Sequence, residues 1–343
     1  MTSTPEHAES MRAVAFHPSQ NVAGPSRLVD VTVPRPDVGS RDLLVEVRAV
    51  SVNPVDIKVQ DGGSDDLRIL GFDAAGTVVA VGEDVTLFSP GDEVWYAGSI
   101  ARPGTNAEFH AVDERIAGRK PSTLDFAEAA AMPLTAITAW EGLFDKLRLD
   151  STSTGTMLLI GASGGVGSMV LQLAEALLPG VRVIATSSTA ESDEWVRDLG
   201  AEVTVNHREG DLLEQVRTAA PEGIDWVFTS RVADPGQLDL YVDVLKPFGQ
   251  IVAIDDPESL DIAFLKSKSI TFHWELMFTK ALAGGDLMTS QHTLLDEVAD
   301  LVDAGRIRTT VTTVLSPIDA AQLREAHRRV EGGRTIGKIA VSR

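Results

Sequence analysis

The sequence contains no cysteine, which excludes disulfide bonds and every metal site built from thiolates, including four-cysteine structural zinc. It also lacks an excess of basic residues. Lysine and arginine together number 30 against 50 acidic residues, for a formal net charge of −20. This charge argues against nucleic acid and anionic membranes as partners, because both require a basic surface.

Long hydrophobic runs are missing as well. No apolar stretch approaches the roughly 20 residues that span a bilayer. Residues 1–7 do not combine a basic segment with an apolar one, as a secretion signal does. We therefore expect a cytoplasmic protein with no membrane partner. The composition, 43% hydrophobic and 23% charged, is typical of a globular protein, and the length of 343 residues suggests two domains.

The most informative stretch combines a strand, a glycine-rich turn and a helix. The apolar run 157–160 predicts a buried strand, and apolar residues at helical spacing follow over 169–177. Such a unit binds the pyrophosphate of a dinucleotide, because the glycines admit it closely and the helix N-terminus offers free N–H groups. The expected contacts are Ser163, Gly164, Gly165, Val166 and Gly167.

The glycine pattern departs from the common fingerprint. In the G-x-G-x-x-G frame that ends at Gly167, the first glycine is replaced by Ala162. Counted from Gly161, the pattern becomes G-x-x-G-x-x-G. The strand before the turn and the helix after it still favour a cofactor site over an ordinary turn.

Two patterns divide the chain. Short strands with turn signals over roughly the first 120 residues predict a β-barrel or sandwich. From residue 156, six strands alternate with helices, which predicts a doubly wound parallel sheet. A helix at 291–304 precedes a return to strands. We expect one domain of residues 1–130 completed by 306–343, and a nucleotide-binding domain of residues 131–305.

Several short segments point to one family when they are taken together. They are Val52-Asn-Pro-Val-Asp56, Gly71-Phe-Asp-Ala-Ala-Gly76, Pro90-Gly-Asp-Glu-Val94, Met132-Pro-Leu-Thr-Ala-Ile-Thr-Ala139, the glycine turn at 161–167, and Gly337-Lys338. Their order and spacing resemble the medium-chain dehydrogenase/reductase superfamily, above all its zinc-free quinone oxidoreductase branch and relatives labelled zinc-type alcohol dehydrogenase-like. The resemblance implies a GroES-like β-rich catalytic domain, a Rossmann domain and an NAD(P)H-dependent oxidoreductase.

The resemblance also bears on metal. Zinc-dependent members carry a cysteine at the position of Asn53 and a His-Glu pair at the positions of Phe72 and Asp73. With these ligands replaced, zinc is not expected, and His110 and Asp113 are the nearest other candidates. Without a Lewis acid, hydride transfer depends on readily reduced substrates such as quinones and conjugated enones. Aldehydes are a further substrate class to test.

Four residues are candidates for catalysis: Asn53, Lys58, Tyr96 and Thr135. The Asn53 amide can donate to a substrate oxygen or to the nicotinamide, or it can simply make an Asn-Pro turn. Tyr96 can supply a phenolic proton or pack beside Trp95, and Lys58 faces either the cleft or solvent. In related reductases a threonine at the position of Thr135 approaches the nicotinamide.

The end of the second strand of the nucleotide-binding domain decides the cofactor. NAD-binding folds place an acid there for the ribose hydroxyls, whereas this strand ends at Ser187 and Ser188, and the next acid is Glu191. Hydroxyls accept a 2′-phosphate that a carboxylate repels, and Arg208 is the best placed cation. We therefore expect NADPH rather than NADH. Further cofactor contacts are expected from Thr229, Ile254, His273, Trp274 and Lys338.

Three functions stay open. The first is a metal-free NADPH-dependent reductase of quinones or conjugated carbonyls. The second is an alcohol dehydrogenase that holds zinc through unusual ligands, and the third is an NADPH-binding sensor without turnover. The resemblance also implies a homodimer that pairs through the sheet edge at 269–274.

Overall fold

The computed structural model describes residues 10–16, 27–61 and 67–343. The chain divides into two compact units, of which the first comprises Met1–Leu134 and Phe278–Arg343 and the second comprises Thr135–Met277. Among the described helices, none combines the length and apolar character that crossing a membrane requires.

Strands and helices follow one another along the whole chain. The strands are β1 (Ser10–Phe16), β2 (Leu28–Pro34), β3 (Asp42–Ser51), β4 (Arg68–Ile69), β5 (Ala74–Val81), β6 (Glu93–Tyr96), β7 (Phe109–Asp113), β8 (Ala117–Arg119), β9 (Gly155–Ile160), β10 (Val181–Ser187), β11 (Val203–Asn206), β12 (Ile224–Thr229), β13 (Leu245–Ala253), β14 (Thr271–Trp274), β15 (Val311–Leu315) and β16 (Lys338–Ser342). The α-helices are α1 (Pro54–Asp61), α2 (Phe126–Ala130), α3 (Pro133–Trp140), α4 (Gly165–Leu177), α5 (Ala190–Asp198), α6 (Leu212–Ala219), α7 (Gln237–Val244), α8 (Thr279–Ala283), α9 (Thr289–Asp303) and α10 (Ala320–Glu331). A π-helical segment, Glu141–Lys146, continues α3, and 3₁₀ turns occupy Glu114–Ile116, Ile262–Lys268 and Gly285–Met288.

The first unit is β-rich. Its larger sheet has the order β15-β16-β3-β5-β6-β8, with β7 also paired to β3, and a smaller sheet has the order β2-β1-β4. The antiparallel pairing of β16 with β3 sets Ala340 opposite Ser51. The backbone N–H of Val52 also donates to the Ile339 carbonyl at 3.1 Å. This register brings Lys338, near the end of the chain, beside the segment that contains Asn53.

The second unit is a six-stranded parallel sheet with the order β11-β10-β9-β12-β13-β14. The β-branched and leucine-rich runs of these strands are buried on both faces, as a sheet covered by helices requires. The order reverses between β9 and β12, and such a switch point is where nucleotides bind in open α/β sheets. The predicted doubly wound fold is confirmed.

Some details of the fold differ from the expectations. The helix at 291–304 was expected with the nucleotide-binding domain, but α9 belongs to the first unit, where the Arg119 backbone N–H donates to Asp296 at 2.7 Å. Helix α1 was not predicted, because its half-buried residues show only weak amphipathic spacing. The alternation of strands and helices predicts a helix at 259–266, where the structure has a 3₁₀ turn at Ile262–Lys268.

Candidate functional site

The glycine-rich turn joins β9 to α4 at the switch point of the parallel sheet. Gly161 has φ = +76°, the left-handed conformation that favours glycine, and so it makes the tight turn that Ala162 does not. Gly164, which has no side chain to cap a helix, is the N-cap of α4, and residues 163–166 are partly exposed. The N–H groups of the first helical turn therefore face a position suited to an anion.

Two glycines in the turn have different surroundings. A Cβ atom at Gly167 would lie 2.5 Å from the Cα of Ala162 and 2.5 Å from the carbonyl oxygen of Gly161. A Cβ atom at Gly164 would meet nothing closer than that same carbonyl oxygen, at 3.5 Å. Gly167 thus permits close packing of helix on strand, while Gly164 keeps one side of the turn open. These residues fit the pyrophosphate of a dinucleotide.

The end of β10 carries the two predicted phosphate contacts, Ser187 and Ser188. Ser188 is partly exposed, but the Ser187 side chain is buried and its hydroxyl donates to Asp193 at 3.3 Å. Asp193 also pairs with Arg197 at 2.8 Å. Burial raises the pKa of Asp193, yet hydrogen bonds from Thr204, Arg197 and Ser187 hold it below its ordinary value. The Ser187 hydroxyl therefore has an internal partner, and Ser188 is the better placed phosphate contact.

Two arginines and a histidine gather near the same strand end. His207 and Arg208 follow β11, Arg231 follows β12, and all three are exposed. Partial burial lowers the pKa of His207, and the positive charges of Arg231 and Arg208 lower it further, whereas a hydrogen bond to the Ser187 backbone raises it. The three side chains therefore form one electrostatic group beside Ser187. The sequence identified only Arg208, although Arg231 stands two residues after the nominated Thr229.

The ends of β12 to β14 carry the other nominated cofactor residues of the second unit. The Thr229 hydroxyl lies 2.7 Å from the Tyr241 hydroxyl and accepts from the Arg231 N–H at 3.0 Å, which makes it part of the fold. The Ile254 N–H donates to the Thr229 carbonyl at 3.1 Å. His273 bonds Gln250 of the neighbouring strand at 3.1 Å. Trp274 is half-exposed at the sheet edge, with its ring packed edge-on to Phe272.

Three of the four catalytic candidates occupy contrasting environments. Tyr96 is fully buried and its ring stacks on His110, whose Nδ1 lies 3.2 Å from the Tyr96 hydroxyl. Burial raises the pKa of Tyr96, so its phenol stays neutral and packs within the first unit. Lys58 is exposed on α1. Thr135 is buried in α3 and belongs to the second unit.

The fourth candidate, Asn53, lies in a buried polar network of the first unit. Its amide nitrogen donates to Asp73 Oδ2 at 2.8 Å and to the Phe72 carbonyl at 3.5 Å. Its amide oxygen accepts from the Lys338 ammonium at 2.6 Å. With 1% of its surface exposed, Asn53 directs both ends of its amide inward. The structure thus supports a positioning role for Asn53 better than direct donation to a substrate.

Lys338 completes this network rather than standing alone in a closing strand. Its ammonium donates to the Val52 carbonyl at 2.8 Å and lies 3.3 Å from Asp73 Oδ2. Asp73 also accepts from the Ser51 hydroxyl at 2.7 Å and from the Leu134 N–H at 2.8 Å. Sequence spacing could not reveal this contact, since Asp73 and Lys338 meet only through the β3–β16 register.

The network fits zinc poorly. The donors at the positions of the zinc ligands are an amide oxygen and one carboxylate, and both already bond the Lys338 ammonium. The Phe72 ring packs edge-on against Phe278 at 5.3 Å. In the described parts of the chain, no group of three or more histidine, aspartate and glutamate side chains is arranged to hold a metal ion. Zinc prefers nitrogen and sulfur ligands in a closed tetrahedron.

A buried carboxyl pair in the second unit was missed by sequence reasoning. Glu275 follows β14 and Glu141 opens the π-helical segment, and both side chains are buried. Burial, then the charge of Glu141 and a hydrogen bond with it, raise the pKa of Glu275 to about 8, while Lys146 at 3.5 Å lowers it. Two acids on elements far apart in sequence give no signal in a pattern of spacing.

Comparison with known proteins identifies the family. The zinc-binding dehydrogenase profile matches residues 199–341, and the alcohol dehydrogenase GroES-like domain profile matches residues 39–136. The zinc-type alcohol dehydrogenase-like protein SAV2186 of Staphylococcus aureus strain Mu50 is 38% identical over 318 residues, which cover 90% of this chain and 92% of that protein. The mitochondrial NAD(P)H oxidoreductase RTN4IP1 of Danio rerio is 31% identical over 336 residues, covering 88% and 83% respectively.

Solved structures agree with this result. A candidate zinc-dependent alcohol dehydrogenase protein from Rhizobium etli CFN 42 superposes with a TM-score of 0.92 at 46% identity, covering 98% of this chain and 99% of that one. Mycobacterial Rv1454c complexed with NADPH superposes with a TM-score of 0.83 at 26% identity, covering 97% and 100%. The chain belongs to the medium-chain dehydrogenase/reductase superfamily. It is an oxidoreductase of the kind that uses a nicotinamide cofactor.

Proposed function

We propose that the protein is an NADPH-dependent reductase that transfers hydride to quinones or conjugated carbonyls without a metal ion. Bound NADPH supplies the hydride. The backbone of residues 163–166 holds the pyrophosphate at the N-terminus of α4. Ser188, Arg208 and Arg231 hold the 2′-phosphate, and the chain orients the two reactants so that transfer becomes effectively unimolecular.

The end of β10 is the observation that carries the cofactor preference. The hydroxyl of Ser188 is partly exposed there, and the charges of Arg208 and Arg231 act on the neighbouring His207. The Asp193 carboxylate is paired with Arg197, so it repels an incoming phosphate less than an unpaired acid does. Guanidinium groups bind phosphate strongly because their fork matches its oxygens. A solved relative, mycobacterial Rv1454c, is itself complexed with NADPH.

Metal independence rests on the donors at Asn53 and Asp73, which already bond Lys338. A zinc-dependent alcohol dehydrogenase is the second candidate, since the family names of several relatives mention zinc. The geometry favours the first candidate, because the required metal ligands are replaced by an amide, a phenyl ring and an ion-paired carboxylate.

The test of this function is oxidation of NADPH and NADH by chelator-treated protein with quinones, enones and aldehydes as acceptors. We expect turnover with quinones or enones, a preference for NADPH, and rates that chelation leaves unchanged. Activity that returns only with added zinc would establish the alcohol dehydrogenase alternative. NADPH binding without turnover of any acceptor would instead point to a sensor.

The proposed contact of Arg231 with the 2′-phosphate predicts a specific change in cofactor affinity. Arg231→Ala should weaken NADPH binding roughly tenfold, because one charge-assisted contact to the 2′-phosphate is lost. NADH, which lacks that phosphate, should bind with unchanged affinity. The control is Arg217→Ala, which removes an exposed arginine of the same unit that pairs with Glu214. Equal losses for NADPH and NADH would contradict this placement of the phosphate.

We also propose a homodimer through the free edge of the parallel sheet. The sheet order ends at β14, and among the described residues no strand pairs with its outer edge. Trp274 and Leu276 are each 50% exposed beside this edge. An exposed apolar edge strand requires cover, and a second copy of the same strand supplies it. Light scattering that returns the monomer mass of 36.6 kDa at micromolar concentration would contradict the dimer.

A further inference from the structure

The buried network around Lys338 has a chemical consequence for the zinc that the names of several relatives imply. We propose that the Lys338 ammonium is a built-in cation that binds the side-chain oxygens of Asn53 and Asp73, the atoms that a metal ion at this position would use. These three side chains then form one charge-balanced unit that binds no metal ion. This inference deepens the proposed metal-free function and rests on it. Lys338 is a positioning residue, because it acts through Asn53 and Asp73.

The geometry around the ammonium is nearly complete. Lys338 Nζ donates to the Val52 carbonyl at 2.8 Å and to Asn53 Oδ1 at 2.6 Å, and it lies 3.3 Å from Asp73 Oδ2. An ammonium group has three protons, and these three oxygens match them in number. Only 4% of the Lys338 surface is exposed. The Lys338 ammonium is therefore shielded from water.

The charges of the network also balance. Asp73 is surrounded by donors, namely the Ser51 hydroxyl, the Asn53 amide and the Leu134 N–H, which all favour its ionised form. Burial raises the pKa of Asp73 and lowers that of Lys338, and each charge partly reverses the shift of the other. A buried carboxylate without its partner is costly, so removal of either charge alone should destabilise the first unit.

Asp56 is the third ionisable group of the network. Its Oδ2 accepts from the Asn53 backbone N–H at 2.7 Å. Burial raises the pKa of Asp56 to about 7, against the effects of that hydrogen bond and of the Lys338 charge, and the Asp73 charge adds to the rise. One ammonium cannot neutralise two carboxylates, so Asp56 is the group of the network that takes up a proton near pH 7, while Asp73 is paired with Lys338.

The remaining neighbours offer a metal no better set of ligands. The Phe72 ring is turned toward Phe278, and the two rings are inclined at 73°. His110 uses one ring nitrogen for the Tyr96 hydroxyl and the other for the Pro103 carbonyl at 2.9 Å. The Thr105 hydroxyl donates to the Asp73 carbonyl at 3.1 Å. The side-chain oxygens of Asn53 and Asp73 and the ring nitrogens of His110 thus already have partners, whereas zinc sites use histidine and cysteine that are free to bind the metal.

The experiment compares Lys338→Met, Asp73→Asn and the double variant by thermal unfolding of the full chain without cofactor or substrate. Lys338→Met keeps a long unbranched side chain, one heavy atom shorter than lysine, and removes the charge and the three hydrogen-bond donors of the ammonium. We expect it to lower the melting temperature by roughly 10 °C at pH 8, because a buried carboxylate loses its partner. Addition of Asp73→Asn should restore at least half of this loss. Lys266→Met, which removes an exposed lysine of the second unit, is the matched control and should change nothing.

The dependence on pH separates a charge effect from a packing effect. In Lys338→Met, Asp73 must take up a proton, so the folded state binds more protons than the unfolded state and the deficit should shrink from pH 8 to pH 5. Loss of the Lys338 charge also raises the pKa of Asp56, which adds to the same trend. The double variant lacks both the Lys338 charge that lowers the pKa of Asp56 and the Asp73 charge that raises it, so its remaining deficit should vary much less with pH. A deficit that is independent of pH in Lys338→Met, or no recovery in the double variant, would overturn the proposal.

A further measurement tests directly whether the network binds a metal ion. The melting temperature of the unmodified protein should be the same in Zn²⁺ and in EDTA. A rise with Zn²⁺ that Asp73→Asn abolishes would place a metal in the network and overturn the proposal. Failure of the proposed function is distinguishable, because absence of NADPH turnover leaves the unfolding results standing. Conversely, chelator-resistant turnover without coupling between Lys338 and Asp73 would refute only the built-in cation.

Discussion

Gly167→Ala should unfold at a markedly lower temperature and lose NADPH binding. The added Cβ atom would lie 2.5 Å from the Cα of Ala162 and 2.6 Å from the carbonyl oxygen of Ala162. These are backbone atoms, so the contact cannot be relieved by rotating a side chain. Helix α4 must then shift away from β9, although residues on its inner face, such as Met169 and Val170, are fully buried. We expect a loss of about 3 kcal/mol in the free energy of unfolding.

Gly164→Ala is the matched control, because it adds the same methyl group to the same turn. The backbone of Gly164 has φ = −75° and ψ = 175°, which alanine adopts without strain. Its Cβ atom would meet only the Gly161 carbonyl oxygen, at 3.5 Å. The fold should therefore be retained. The affinity for NADPH should fall by roughly tenfold, because the methyl group occupies the space through which the pyrophosphate approaches the turn.

The two variants are compared by urea unfolding and by titration with NADPH. The expected pattern is that both lose affinity and only Gly167→Ala loses stability. Unchanged stability in Gly167→Ala would mean that helix and strand are not packed closely at this point. Full affinity in Gly164→Ala would mean that the pyrophosphate lies elsewhere, and the cofactor site would need to be sought at another strand end.

The sequence predicted those strands and helices whose apolar periodicity is visible in consecutive residues. The six strands of the second unit, β9 to β14, and their alternation with helices were predicted because apolar runs and helical periodicity alternate there without ambiguity. The short strands β4 and β8 were missed, since two or three residues carry no period. The sequence grouped helix α9 with the nucleotide-binding domain, whereas in the structure it packs within the first compact unit, because an amphipathic pattern shows that a helix needs a partner without showing which one.

The candidate site was predictable only at the glycine turn, where backbone groups rather than side chains make the expected contacts. The glycine turn was found because its residues are close together in the sequence, where Gly161 has a left-handed backbone and Gly167 leaves no room for a side chain. The partners of Asn53 were not found, because Lys338 reaches it through the pairing of β16 with β3 at opposite ends of the chain. Ser187 was assigned to the phosphate on its position in the strand, while the structure turns its hydroxyl to Asp193. Side-chain direction of this kind depends on packing that spacing does not encode.

Glu275→Gln should stabilise the protein at alkaline pH and lose that advantage in acid. Burial and the nearby Glu141 raise the pKa of Glu275 from 4.5 to about 8. The folded state therefore binds more protons than the unfolded state between these values, and stability falls as the pH rises through this window. The amide of glutamine carries no charge and can donate to Glu141, so the variant escapes this loss. At pH 9 we expect a gain of about 3 kcal/mol.

The quantity to measure is the difference in the free energy of unfolding between Glu275→Gln and the unmodified protein. The contributions of the other acidic groups cancel in this difference, because these groups titrate alike in both proteins. Urea unfolding at intervals from pH 5 to pH 9 should give a difference that grows with pH and levels off above about 8. Glu141→Gln should give a difference of the same sign, since the charge of Glu141 and its hydrogen bond help to raise the pKa of Glu275, and removal of that charge lowers this pKa. The exposed Glu222→Gln should give a flat difference. A flat curve for Glu275→Gln as well would show that the pKa of Glu275 is not raised in the folded protein, and it would refute the prediction.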